Sequence, residues 1–209
     1  MSGTDLPVVL VTSFGPFGSF EDNPTQSVAA KLAQTQLPFA KIVVEHLNVD
    51  YEEVAQRVTK CWDTHRPKFV LHLGVHPLAG QVKVERQAFR KGYCLKDVRG
   101  CVPLGNNCSS AELSSDANVL CTGLQCDQIV NTVRKALTDV EKTIVTVTES
   151  TDPGKYLCGF CYYNSLMIDQ SRSLFVHIPL NTERFTLELM LKIVALIVRE
   201  CLRQLGEVK

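Results

Sequence analysis

The sequence predicts an α/β fold with a mostly parallel central sheet and helices on both faces. Three observations predict it. Short β-branched apolar runs alternate with helical stretches from residue 7 to 74, the β-α-β-α-β rhythm of a parallel sheet. The first of these runs carries apolar residues on both of its faces, as a strand covered on both sides does. The chain has 209 residues, 45% of them hydrophobic, and shows neither an internal repeat nor a low-complexity linker, so one domain over 1–209 accounts for it.

P-V-V-L-V-T (7–12) reads as a buried strand. The Gly and Pro residues of S-F-G-P-F-G-S-F-E-D-N-P then break regular structure. Asn23 is placed to cap a helix with Pro24 at its first position. That helix runs to about Thr35, with Val28, Ala29 and Leu32 on one face. K-I-V-V-E-H (41–46) is the second strand. Asp50 caps a helix in which Tyr51, Val54, Ala55, Val58, Cys61 and Trp62 recur at helical spacing, and Pro67 ends it. K-F-V-L-H-L-G (68–74) is the third strand. Residues 86–126 are rich in Gly, Asn, Ser and Cys and weakly periodic; they predict short strands or a flap over the site. An amphipathic helix follows at 127–137, then the strand T-I-V-T-V-T (143–148) and a helix opening at T-D-P-G-K (151–155). S-L-F-V-H-I-P (173–179) is a core strand. A long helix fills 182 to about 205, with Thr182 as its cap and Phe185, Leu189, Ile193, Leu196 and Ile197 on the buried side.

Formal net charge is +0 with the signs interspersed, which gives no electrostatic footprint for nucleic acid. The most apolar run, 190–198, is too short to cross a membrane and carries Lys192. The N-terminus lacks the basic and apolar regions of a signal peptide, so the expected setting is cytoplasmic and reducing. Nine cysteines, an odd number without dense spacing, then read as free thiols. Cys94, Cys101, Cys108, Cys121 and Cys126 lack the short paired spacing of a zinc site, and no metal is expected. Neither a phosphate-binding loop nor a dinucleotide fingerprint is present.

Y-L-C-G-F-C-Y-Y-N-S (156–165) carries the chemistry. Cys158 and Cys161 form a C-x-x-C pair on a helix after a strand, the pattern of a thiol oxidoreductase. Leu157 rather than Trp precedes the pair, and it stands late in the chain. The other reading is a single nucleophile, Cys158, with Cys161 packing three residues on. A catalytic cysteine works as the thiolate, which a helix N-terminus and a nearby histidine favour. With Asp152 as cap, Cys158 falls in the second helical turn; with a start after Gly154 it falls in the first, where the dipole acts most strongly. A small buried hydrophobe is the plain alternative.

Of the five histidines, His65 reads as surface, His46 as a strand end and His72 as a satisfied core residue; His76 is open to either role. His177 lies near the carboxyl end of its strand, where sites form in open α/β sheets, and is the best-placed base for Cys158. Glu85, in Q-V-K-V-E-R-Q, reads by pattern alone as a solvated strand residue. Phe14, Phe17 and Phe20 read as pocket walls or plain core.

Four blocks, in order, resemble the pyroglutamyl-peptidase I family of cysteine peptidases: S-F-G-P-F-G with N-P-T; H-L-G-V with V-E-R-Q-A; G-K-Y-L-C-G-F-C-Y-Y-N-S-L; and V-H-I-P. The resemblance spans most of the chain. It implies a single three-layer α/β/α sandwich, no cofactor, and peptide substrates with N-terminal pyroglutamate. It puts a Glu-Cys-His triad on Glu85, Cys158 and His177, and makes Cys161 incidental. It matches Phe14 and Phe17 to pocket aromatics and Asn23 to a polar residue that steadies the loop. The chain departs from the bacterial members at Ser13, at Gly18-Ser19 and at Val75, where a Gln is usual, and resembles the animal form more closely. Which of Arg90, Lys91 and Lys96 stands for their oxyanion arginine is left open. The animal form implies a monomer, with a homo-oligomer as the alternative. A pyroglutamyl-peptide binder of weak or lost turnover, or a C-x-x-C oxidoreductase, are the competing functions.

Overall fold

Alternation along the buried strands sorts the side chains into two cores. The computed structural model describes residues 6–16, 23–108, 116–180 and 182–208. The elements, in order, are β1 (Val8–Phe14), α1 (Pro24–Gln34), β2 (Lys41–Leu47), α2 (Tyr51–His65), β3 (Phe69–His76), β4 (Gln81–Glu85), β5 (Gln87–Phe89), β6 (Val119–Cys121), α3 (Cys126–Ala136), α4 (Asp139–Ile144), β7 (Thr146–Ser150), α5 (Leu157–Ile168), β8 (Ser173–Pro179) and α6 (Leu187–Gln204).

Six strands form one sheet in the order β2-β1-β3-β8-β4-β7. β4 runs antiparallel to β8 and parallel to β7; the other pairings are parallel. Val9, Val11, Leu71, Leu73, Val82, Val84, Leu174 and Val176 face one way, into a core with α1, α3 and α6. Leu10, Phe14, Val70 and Phe175 face the other way, under α2 and α5. Both faces of the sheet are therefore covered, which makes the expected three-layer sandwich with its mostly parallel sheet.

Caps decide several boundaries. Asn23 Oδ1 accepts the Thr25 N–H at 3.1 Å, and Asp50 Oδ1 accepts the Glu53 N–H at 3.0 Å, as expected. The strand expected at 143–148 starts instead at Thr146. Thr138 and Glu141 form a reciprocal capping box that draws Thr143 and Ile144 into α4. The last helix starts later than expected. Thr186 caps it, whereas the Thr182 hydroxyl closes a separate turn by accepting the Phe185 N–H at 2.9 Å. Leu196 is only half-buried. His65 is partly exposed, and its Nε2 lies 2.8 Å from Glu45 Oε1.

Residues 86–126 contain the short antiparallel pair β5–β6. Tertiary bonds shape the rest of the described part. Asp97 accepts the backbone N–H groups of Tyr51, Arg99 and Cys101, and the hydroxyls of Tyr51 and Tyr156 donate to the Leu95 and Lys96 carbonyls. No helix among the described residues is long and apolar enough to cross a membrane.

Candidate active site

Period two puts Phe14, Thr12, His72, Gly74, His76, Phe175, His177, Lys83 and Glu85 on the sheet face that α5 covers. α5 is apolar nearly all round and mostly buried, which seats it firmly on that face. Tyr156 is its N-cap residue, and no side chain caps it. Asp152 is not the cap: it accepts the Gly154 N–H at 3.0 Å in a turn upstream. Cys158 is thus the second residue of the helix, in the first turn, where backbone N–H groups lack intrahelical partners.

The thiol reaches the sheet only because residue 74 is glycine. A Cβ at Gly74 would fall 3.0 Å from Cys158 Sγ and 2.7 Å from the Phe175 ring. His177 stands beside that ring, with centroids 4.8 Å apart. Its Nδ1 lies 2.8 Å from Glu85 Oε1 across the antiparallel β8–β4 pair. Nδ1–H donating to the carboxylate leaves Nε2 for the thiol. Glu85 is fully buried, and its Oε2 has no hydrogen-bond partner among the described residues. Burial pulls the His177 imidazole down. The charge and hydrogen bond of Cys158, then those of Glu85, outweigh burial and lift its pKa to about 9. The Glu85 carbonyl accepts the Tyr162 hydroxyl at 2.9 Å, which ties the carboxylate's backbone to α5.

The structure therefore brings Glu85, Cys158 and His177 together. Glu85 corrects the solvated reading that its strand pattern suggests. Cys161 is fully buried, and burial pushes its thiol well above the ordinary range. Its Sγ lies 3.4 Å from His72 Nδ1, which Thr12 Oγ1 also approaches to 2.7 Å. His72 Nε2 has no hydrogen-bond partner among the described residues, so His72 is a core histidine satisfied on one nitrogen. Burial alone pushes it down to about 3, which keeps it neutral.

Phe14 is buried in the apolar cluster against which Cys158 packs. Asn23 steadies the loop after β1 from both sides: its Nδ2 donates to the Gly15 carbonyl at 3.1 Å and its Oδ1 caps α1. Phe17, Gly18 and Ser19 lie outside the described residues. Ser13 stays in extended strand, its hydroxyl 2.7 Å from His46 Nδ1. The Arg90 guanidinium reaches Asp116 at 3.4 Å, and Lys91 and Lys96 are exposed. Among the described residues no group of three His, Cys, Asp or Glu is placed to hold a metal ion.

Sequence reasoning missed Gly74, Phe175 and Tyr162. Gly74 and Tyr162 stand inside the blocks H-L-G-V and Y-L-C-G-F-C-Y-Y, where a close approach and a helical spacing of four could have marked them. A cavity of about 710 Å³ lies elsewhere, between α2 and residues 97–107, and none of Glu85, Cys158 and His177 lines it. The cluster of Glu85, Cys158 and His177 thus sits under the head of α5 rather than in that groove.

With this geometry in hand, the comparisons with known proteins agree on one family. The family model described as pyroglutamyl peptidase PgaPase_1 matches residues 9–181. Pyroglutamyl-peptidase 1 of Rattus norvegicus and of Homo sapiens are each 32% identical over 173 residues, 82% of this chain and 78% of theirs. The pyroglutamyl-peptidase 1-like protein of Homo sapiens is 29% identical over 163 residues, 78% of each chain. Among solved structures, pyrrolidone carboxyl peptidase from Thermococcus litoralis superposes with a TM-score of 0.82 over 96% of both chains, at 22% identity.

Proposed function

The chain belongs to the pyroglutamyl peptidase family, and from that premise we propose that it is a cysteine exopeptidase releasing N-terminal pyroglutamate from peptides, with Glu85, Cys158 and His177 as its triad. The observation that carries this reading is the placement of Cys158. It stands in the first turn of an uncapped helix, its Sγ packed against Gly74, the register partner of a histidine that a buried carboxylate holds.

The chemistry follows from the parts. His177 takes the Cys158 proton, and Glu85 stabilises the imidazolium and fixes its tautomer. A buried carboxylate with one unpartnered oxygen is costly without a counter-charge, so Glu85 favours the protonated ring. The thiolate attacks the pyroglutamyl carbonyl. The free N–H groups at the head of α5 can donate to the oxyanion, an effect worth ~3 kcal/mol per donor in other enzymes. His177 then protonates the leaving amine, and water attacks the thioester to release pyroglutamate and the free thiol. The lactam is compact and uncharged, which suits the aromatic surroundings of Phe14, with Phe17 as a second wall and Asn23 holding the loop.

The same reading makes residues 1–209 one catalytic unit, acting as a monomer in the cytoplasm. The test is cleavage of a fluorogenic pyroglutamyl amide by the reduced protein beside Cys158→Ala and Cys161→Ala. Cleavage by wild type and Cys161→Ala, and none by Cys158→Ala, is expected. Loss in Cys161→Ala alone points to a dithiol instead. Binding without product in the wild type points to a non-catalytic binder.

A further inference from the structure

Two thiols on α5 face the same strand, one half-buried and one sealed. Cys158 is the second residue of the helix and Cys161 follows three residues on. A Cβ at Gly74 would fall 3.0 Å from Cys158 Sγ, and Cys161 Sγ lies 3.4 Å from His72 Nδ1. His72 and Gly74 stand two residues apart on β3, so both sulfurs meet one face of that strand. Gly74 sends no side chain between them. Cα atoms three apart in an α-helix lie about 5 Å from each other, within the span of roughly 4.4–6.8 Å that a disulfide accepts. The thiols also sense each other: after burial, the charge of Cys158 does most to hold the Cys161 thiol above its ordinary range.

Exposure sets the order of events. Cys158 is half-buried and Cys161 fully buried, so a small oxidant meets Cys158 first, and Cys161 meets what Cys158 has become. Thr12 Oγ1 lies 2.7 Å from His72 Nδ1, so that nitrogen keeps a partner when the Cys161 sulfur turns away. We propose that Cys161 is a resolving thiol: a hydroperoxide oxidises Cys158, and the pair then closes to a Cys158–Cys161 disulfide that keeps the nucleophile recoverable. In the first step the Cys158 thiolate attacks the peroxide. The S–O bond forms, the O–O bond breaks, and the leaving oxygen takes a proton from His177 to depart as water or an alcohol. The sulfur is oxidised by two electrons to the sulfenic acid, and the peroxide is reduced. In the second step Cys161 Sγ attacks the Cys158 sulfur. The S–S bond forms, the S–O bond breaks, and the hydroxide leaves as water with the Cys161 proton. A dithiol reductant reopens the bond by exchange. This goes beyond the peptidase reading, in which Cys161 has no part, and takes from it only the proton passed between Cys158 and His177.

The test treats the reduced protein with hydrogen peroxide, blocks free thiols with an alkylating reagent, and weighs the tryptic peptides. Residues 156–172 follow Lys155 and end at Arg172, so one peptide carries both cysteines. In the wild type that peptide is expected unalkylated and two hydrogens lighter than its dithiol form. Cleavage of a pyroglutamyl amide is lost in parallel, and dithiothreitol restores both. In Cys161→Ala, Cys158 is expected to go on to the sulfinic acid, and the lost cleavage does not return with dithiothreitol. A wild-type peptide that is alkylated at both cysteines, that gains oxygen at Cys158 without the internal bond, or that is joined to a third cysteine overturns the proposal. Recovery in Cys161→Ala as full as in the wild type does the same. The wild-type mass needs neither a variant nor turnover. Failure of the untreated protein to cleave the amide therefore overturns the peptidase reading and leaves the disulfide to be decided by the mass.

Discussion

His177 Nδ1 lies 2.8 Å from Oε1 of a Glu85 carboxylate that no solvent reaches. Glu85→Gln keeps the size and can still accept the hydrogen bond, but removes the charge that steadies the imidazolium. The expected result is a fall in kcat/KM on the order of 10²–10⁴ at pH 7, the scale of an amide replacing the third triad member elsewhere. The pH profile carries a second readout. If His177 gives its proton to the leaving amine, as proposed, the alkaline limb of wild-type activity, where it loses that proton, should lie near 9. In Glu85→Gln that limb moves to lower pH. A limb that stays in place means that Glu85 acts only on packing.

Gly74 sets how close the thiol comes to the sheet. A Cβ there meets Cys158 Sγ at 3.0 Å and the Phe175 ring at 2.7 Å, so Gly74→Ala has to push one or both aside. Overpacking of this kind costs about 1–3 kcal/mol. A thiol displaced by ~1 Å can lose about a hundredfold in rate. Thermal unfolding together with kcat/KM separates the two effects. The rate should fall far more than the stability of the folded protein accounts for at 25 °C.

The two ends of this site were not equally legible in the sequence. Cys158 and His177 announce themselves by position, one at the head of a helix and one at the carboxyl end of an apolar strand. Glu85 does not, because V-K-V-E alternates like a half-solvated strand. Only β7 on one side and β8 with α5 on the other turn that strand into the centre of the site, and those partners are far away in sequence. The regular elements up to β3 follow hydrophobic period and caps, which are local. Residues 86–126 resist because Asp97, Tyr51 and Tyr156 hold that segment through bonds to α2 and α5. The helix α4 is a different case: Thr138 and Glu141 spell its capping box in the sequence, and the β-branched run after them outweighs it in a periodicity reading.

His72 and His177 should shape stability against pH from opposite sides. His72 is held down to about 3 in the folded chain, against 6.5 for an ordinary histidine. Its neutral burial therefore supports folding fully above 6.5, and that support is lost as pH falls toward 3. His177 is lifted to about 9. Its contribution is complete below 6.5 and is lost as pH rises through 9. Urea unfolding across pH 4 to 10 should show a maximum near 6.5 from these two groups. Cys158→Ala removes the neighbouring charge that does most to raise His177, so it should flatten the alkaline side and leave the acid side in place.

Asn23 joins two structures that can be separated by substitution. Its Oδ1 accepts from the Thr25 N–H and hydroxyl, and its Nδ2 donates to the Gly15 carbonyl in the loop that follows Phe14. Asn23→Ser keeps a capping oxygen but cannot reach Gly15. Asn23→Ala loses both. The cap alone is worth about 0.5–2 kcal/mol, so Asn23→Ala should unfold more easily than Asn23→Ser by that amount. Both variants release the Gly15 carbonyl. If the loop positions the lactam pocket, both should therefore raise KM for a pyroglutamyl amide several-fold, with kcat changed less. Equal KM in wild type and both variants, despite the difference in stability, would restrict Asn23 to capping α1 and remove it from the pocket.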